Sequence, residues 1–218
     1  MVTPNAVSEE DIDKLNIPND LPDKQFTFKS YIEAKVYDKE GHLIQYHRQP
    51  MRSLTQYFLA LMSVPLIGTY QSLSIYEATN FLVNVLGMPS QQSSSSAAFI
   101  YWNWYIQLGS GTQTFSPTLN ALAAPILNGT SSGELSYGNV GVSFTATSIL
   151  VVLTVSNPTS TAVNVTEIGL FGTIYVNYNN SNGVTSKTFL LSYDTFSTAI
   201  SVPGYGMASF QITLSFTG

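Results

Sequence analysis

"MASFQITLSF" (207–216) decides the fold class. Phe210, Ile212, Leu214 and Phe216 alternate with Ser209, Gln211, Thr213 and Ser215. A period of two sends one set of side chains to a core and the other to water, the mark of a half-buried strand. Similar runs recur upstream. "TSKTFLLSYDTF" (185–196) and "VNVTEIGLFGTIYVNY" (163–178) read as strands, with "NNSNG" (179–183) as a hairpin tip and "VPGYG" (202–206) as a wide turn. "VGVSFTATSILVVLTVSN" (140–157) alternates and then shifts phase near Thr147–Ile149, as a β-bulge would produce. "FIYWNWYI" (99–106) sets Ile100, Trp102, Trp104 and Ile106 against Phe99, Tyr101 and Tyr105, so both faces of that strand are expected to be covered. Short strands with regular turn signals predict a mainly β protein, with a jelly-roll or β-sandwich module over 97–218.

The N-terminal part reads differently. Residues 1–25, with Pro4, Pro18, Pro22 and scattered acids, are expected to be an extended arm. "FTFKSYIEAKVYDKEGHLIQYH" (26–47) predicts a β-hairpin in which Gly41 supplies a positive φ. A short helix follows, with Ser53 as N-cap and Leu54, Tyr57, Phe58, Leu61 and Met62 as one apolar stripe that Pro65 and Gly68 end. Residues 70–88 fit strand or helix, and "PSQQSSSS" (89–96) reads as a connection. Residues 26–96 are thus a hairpin plus helical segment suited to docking. Whether they fold apart from 97–218 or pack onto it is left open.

Composition narrows the chemistry. Of 218 residues 44% are apolar and only 10% charged, against about 25% in a typical soluble protein. Hydroxyls replace the missing charge, with 27 Ser and 22 Thr. Residues 1–52 hold 16 of the 21 charges and both histidines; beyond them stand only Glu77, Glu134, Glu167, Lys187 and Asp194. The net charge of −5 argues against nucleic acid, whose phosphates require clustered Lys and Arg. Without cysteine there are no disulfides, thiolate nucleophiles or Cys-based metal sites. The first 25 residues lack the basic and apolar regions of a secretory signal, and 54–68 is too short and interrupted to span a bilayer.

Chemical motifs fail one by one. "GSGTQTFSPTLNALAAPIL" (109–127) has the glycines of a phosphate loop, but Thr114 stands where a dinucleotide fingerprint needs Gly. A Walker loop is excluded because no Lys lies between 40 and 186. The stretch reads as a structural connection, with "SPTLNAL" (116–122) forming one capped helical turn. His42 and His47, five apart, read as an exposed hairpin pair, so neither a triad nor a metal site is expected. Glu134, Glu167 and Asp194 are the carboxylates available to glycoside hydrolysis, which needs two of them roughly 5–10 Å apart; caps and strand ends account for them more simply. Three glycosylation sequons, at Asn128, Asn164 and Asn179, are what chance gives at this Ser and Thr content. The aromatic run is read first as core, and alternatively as a face on which Trp102 and Trp104 meet a partner subunit or a sugar. No catalytic, cofactor or metal residue is assigned.

The order "LGSGTQTFSPTLNALAAPI", a long strand pair, "VTEIGLFG" and "LLSYDTFSTAISVPGYGMASFQITLSF" resembles virion structural proteins, especially those of viruses infecting hyperthermophilic, acid-dwelling archaea. The likeness covers roughly 100–218, and "KVYDKEGHLIQYHRQPMRS" (35–53) is similar to the N-terminal part of such proteins. It implies a non-enzymatic vertex, turret or tail-adaptor subunit, made and assembled in the host cytoplasm and carried in the virion, with no cofactor. Expected partners are copies of itself in a ring, other virion proteins through the N-terminal region, and a host-surface glycan. The rival readings are a glycan- or receptor-binding module, a carboxylate-dependent glycoside hydrolase, and a surface-layer or pilus-like subunit.

Overall fold

Alternation of apolar and hydroxyl-bearing residues builds the larger sheet. The structure, a computed structural model, describes residues 27–51, 53–56, 58, 72–76, 82–86, 103–177 and 184–217. Among them are strands β1 (Thr27–Tyr37), β2 (Leu43–Pro50), β3 (Ser72–Tyr76), β4 (Leu82–Leu86), β5 (Asn103–Gly109), β6 (Ser136–Phe144), β7 (Ser148–Ser156), β8 (Val163–Asn177), β9 (Val184–Val202) and β10 (Met207–Thr217). They form a five-stranded sheet in the order β2-β1-β10-β7-β6, a three-stranded sheet β5-β8-β9 and a two-stranded ribbon β3-β4. Every pairing between these strands is antiparallel. The protein is mainly β, as its periodicity predicts.

Strand β10 lies in the middle of the large sheet and follows its sequence pattern. Ala208, Phe210, Ile212 and Leu214 are buried, while Ser209, Gln211, Thr213 and Ser215 are half-buried on the other face. Opposite them on β1 stand Val36, Ala34, Ile32 and Ser30, and on β7 Val155, Leu153, Val151 and Ile149. Strands β5, β8 and β9 contribute Trp104, Ile106, Leu108, Val165, Ile168, Leu170, Phe189 and Leu191 to the same apolar cluster, so the two larger sheets share one core. Each fully buried large side chain there contributes about 1.5–3 kcal/mol. The hairpin at 27–50 is built into this sheet: β1 is an interior strand, paired with β10 from Thr27 to Tyr37. Residues 27–50 therefore share a sheet with the 97–218 segment.

The chain passes between sheets at Met51–Thr55. Met51 N donates to Ser30 O (2.9 Å), whose own hydroxyl donates back to Met51 O (3.0 Å). Two residues later Tyr193 N donates to Ser53 O and Thr55 N to Leu191 O, beside β9. Ser53 is not the N-cap expected of it, because the helical residues begin three positions later at Gln56; Phe58 is helical as well, and its N donates to Thr55 O. The rest of the expected helix, the 1–25 arm and the 89–96 connection lie outside the described residues.

Two local expectations, the bulge in 140–157 and the exposed histidine pair, are corrected. The phase shift in 140–157 is a hairpin turn and not a bulge: Thr145 N donates to Ser148 O (2.8 Å), and Thr147 N to Thr145 Oγ1 (3.3 Å). Hydroxyls make that turn without Gly, Pro or Asn, which is why it was hidden. The expected helical turn at 116–122 is one hydrogen-bonded turn, Leu119 N to Ser116 O (3.0 Å), with the Ser116 hydroxyl accepting from Thr118 N. The histidines are not an exposed pair. His42 sits in the turn, whereas His47 points inward, half-buried and edge-on to Phe196 at 5.5 Å. Between Asn177 and Val184, which pair across β8 and β9, the expected tip at 179–183 lies outside the described residues.

Candidate functional site

The glycine-rich connection after β5 does cradle an anion, and the anion is the protein's own. Glu167, on β8, is 0% exposed. Its Oε1 accepts from Ala124 N (2.8 Å) and Gly111 N (3.3 Å), and its Oε2 from Ala123 N (3.1 Å). The two glycines are required by this approach. A Cβ on Gly109 would overlap the Glu167 carboxylate, and one on Gly111 would come within 2.8 Å of the Ala123 Cβ and 3.0 Å of Glu167 Oε1. Both motifs that Gly-rich loops usually signal place backbone N–H groups on a ligand phosphate. Here the same device binds strand β8.

The remainder of the loop is fastened around that bond. Its ends close through Ser110 N to Ala124 O and Ile126 N to Leu108 O, both 2.8 Å, in the manner of a compact Ω-loop. Thr166 Oγ1 donates to Gly111 O (2.7 Å). The Tyr193 hydroxyl accepts from Gln113 N (3.1 Å) and donates to Gln113 O (3.3 Å). Leu122, Phe171, Leu190 and Tyr193 form a second apolar cluster with Phe115, Leu119 and Tyr105, whose ring stacks on Phe171 at 5.1 Å. The loop thereby covers the face of the three-stranded sheet turned away from the main core.

Burial also governs the tyrosines. Desolvation pushes the Tyr193 phenol up to about 12, with the Glu167 charge adding to the effect and the bond from Gln113 opposing it. Tyr137 on β6 donates to Ile126 O (3.0 Å) and accepts from Leu108 N (3.2 Å), and its burial likewise pushes it up to about 12. Each ring pins an edge of the loop to a strand.

Neither of the other carboxylates offers more. Glu134 accepts from Ser131 N (2.8 Å) in an exposed turn, and Asp194 Oδ1 from Thr195 N (3.0 Å) on β9. None of the three lines the hollow of about 490 Å3 beside Phe28, Met51 and Leu54. A glycosidase needs carboxylates facing a bound sugar; Glu167 faces amide hydrogens inside the fold. Asp38, Glu40 and His42 hold three potential ligand atoms within 4.8 Å of one another. Their geometry is that of an Asx-type turn: Asp38 Oδ1 accepts from Glu40 N (3.0 Å) and His42 N (2.8 Å), and Oδ2 lies 3.0 Å from His42 Nδ1.

No family model, curated protein or solved structure matches this chain. Trp104 is 7% exposed within the main core, in agreement with the first reading of the aromatic run as core packing. Trp102 lies outside the described residues, as does Asn179. Asn128 is exposed, with Oδ1 accepting from Tyr137 N (3.0 Å), and Asn164 is exposed on β8 opposite Ser201.

What sequence reasoning missed lies at the edges of the large sheet. On β2 the inward residues are the polar ones: Gln45 bonds Ala199 O and Ser201 N, and Gln49 bonds Thr195 O. Leu43, Ile44 and Tyr46 are each 53% exposed. On β6, at the opposite edge, Phe144 is 67% and Val142 36% exposed. A signal was present in "LIQYHRQP" (43–50), where alternation runs with the polar set inward, but its phase cannot be read before β9 is known to lie against it.

Proposed function

We propose that the chain is a non-enzymatic structural subunit whose two larger sheets stack as a β-sandwich, of the jelly-roll or a related kind, and that copies of it associate. The observation that carries this reading is the pair of sheet edges. Strands β2 and β6 flank the five-stranded sheet and, among the described residues, are joined to a neighbouring strand on one side only. Both carry exposed apolar side chains, and β6 (SYGNVGVSF) contains no charge and no proline. Soluble monomers usually blunt such edges with lysine, proline or a covering element, because a bare edge pairs with another chain. Strand β6 has a bulge between Tyr137 and Val140, beyond which the exposed half is regular.

Topology restricts how copies meet. Five strands alternating in direction leave β2 and β6 running the same way. A head-to-tail ring joined through these edges therefore pairs β6 of one copy with β2 of the next in parallel. Two-fold pairing of β2 with β2, or β6 with β6, gives an antiparallel junction. A ring within a virion, at a vertex, turret or tail adaptor, is the setting that the resemblance implies. The consumption of the buried carboxylate by the fold itself favours architecture over catalysis.

Light scattering and electron microscopy of the purified full chain test the proposal. A homo-oligomer of fixed copy number is expected, reduced in mass by Phe144→Lys or Ile44→Lys. A solitary protomer at every concentration sinks it.

A further inference from the structure

We propose that the hollow at the start of β1 receives the acidic N-terminal segment, residues 1–26, of a second copy of the chain. The inference rests on the assembly reading and supplies its contact. The hollow, about 490 Å3, is lined by the apolar Phe28, Pro50, Met51 and Leu54 together with Lys29 and Tyr31. Lys29 is exposed, and the Arg48 guanidinium stands 4.8 Å from the centre of the Tyr31 ring, so two cations flank an apolar depression. The nearby Glu33 already accepts from Lys35 (2.8 Å) and Tyr46 (3.1 Å).

Charge selects the occupant. Residues 1–26 carry six acids against two lysines, with Ile12, Leu15, Ile17 and Leu21 spaced among them. Residues 27–52 carry five cations against three acids, and everything beyond carries four acids against one lysine. Of these three parts, residues 27–52 are thus the net basic one, and the segment preceding them is the strongly acidic one. Opposite patches of this size steer association and fix its register.

Geometry selects the second copy. Thr27 is already paired with Thr217, and Phe28, Lys29, Ser30 and Tyr31 line the hollow, so a segment lying over them in its own copy would have to turn back directly before Thr27. Docking within one copy requires an immediate reversal. Extended, 26 residues reach up to about 90 Å, well beyond a domain whose radius of gyration is about 17 Å.

The test mixes two full-length variants: a site reversal, Lys29→Glu with Arg48→Glu, and an arm reversal, Glu9→Lys, Glu10→Lys, Asp11→Lys and Asp13→Lys. Each alone is expected to associate about tenfold more weakly at low salt, with an unchanged circular dichroism spectrum. Mixing them restores association, because each arm then meets a site of opposite charge. If only a chain carrying both reversals recovers, the segment docks in its own copy and the proposal is overturned; unchanged association of the site reversal overturns it too. In the unmodified chain, association is expected to weaken as salt rises, and strengthening with salt contradicts the contact without any variant. A wild-type protomer that never associates removes the assembly reading itself, which separates the two failures.

Discussion

Two loops of this protein are organised by a carboxylate that accepts backbone N–H bonds, one in water and one inside the fold. Asp38 holds the β1–β2 turn through Glu40 N and His42 N, partners two and four residues away. Glu167 holds the 110–127 loop through Gly111, Ala123 and Ala124, 43 to 56 residues away. The bond lengths are similar. What differs is the alternative open to each group when the bond is broken: water for Asp38, nothing for Glu167. Net stability depends on that alternative more than on the bond itself. The partly exposed carboxylate shapes a turn that Gly41, at φ 87°, already favours, whereas the buried one joins separate parts of the chain.

Replacing each acid by its amide breaks the comparison most sharply. Both oxygens of Glu167 accept from backbone donors, so Glu167→Gln places an NH2 group against at least one backbone N–H whichever way the amide turns. The expected loss of unfolding free energy is on the order of 4 kcal/mol, read from urea denaturation. A loss below about 1 kcal/mol, the worth of an ordinary hydrogen bond, would mean that the loop is held by its apolar cluster and not by the carboxylate.

The same contrast explains what could be read in the sequence. The Asp38–Gly41 turn is local, and "DKEG" carries all its information within four residues. Strand β10 is equally legible because Phe210, Ile212 and Leu214 meet one continuous core. The Glu167 cradle is not legible: "GSG" and "VTEIG" each look ordinary, and only the pairing of β5 with β8 brings Gly109 opposite Glu167. The β6–β7 turn was hidden for a different reason, since Thr145 and Ser148 make it with side-chain hydroxyls, 2.7 Å apart, in a chain where hydroxyls are everywhere. The inverted face of β2 depends on β9, some 150 residues away, whose carbonyls Gln45 and Gln49 satisfy.

Alkaline pH sharpens the comparison at intermediate size. Tyr193 and Tyr137 are pushed up to about 12 by burial, against an ordinary 10. A folded-state value above the unfolded one means that the stabilisation is complete below pH 10 and is lost as pH rises through 12. Each ring is expected to account for on the order of 2 kcal/mol of that decline. Thermal melts from pH 9 to 12 on wild type, Tyr193→Phe and Tyr137→Phe measure it. The decline should flatten in both variants; an equally steep loss in all three proteins would assign it to other groups.

The smallest effect belongs to Asp38→Asn, and its sign with pH is the informative part. Asp38 Oδ1 alone takes both backbone N–H bonds, so the amide oxygen of asparagine can keep the turn, and only the contact of Oδ2 with His42 is given up. The carboxyl is held below its ordinary value, chiefly by the backbone bond from His42, with the His42 side chain adding to it. A depressed folded-state value gives stabilisation that is present above the unfolded value and lost as pH falls through the folded one. Wild type is therefore expected to melt slightly above Asp38→Asn at pH 7, with the gap closing as pH falls below the ordinary carboxylate range. Because the site is exposed, added salt should narrow the gap as well. A gap that widens in acid contradicts the sign, and one at pH 7 as large as that of Glu167→Gln would show that exposure does not separate the two loops.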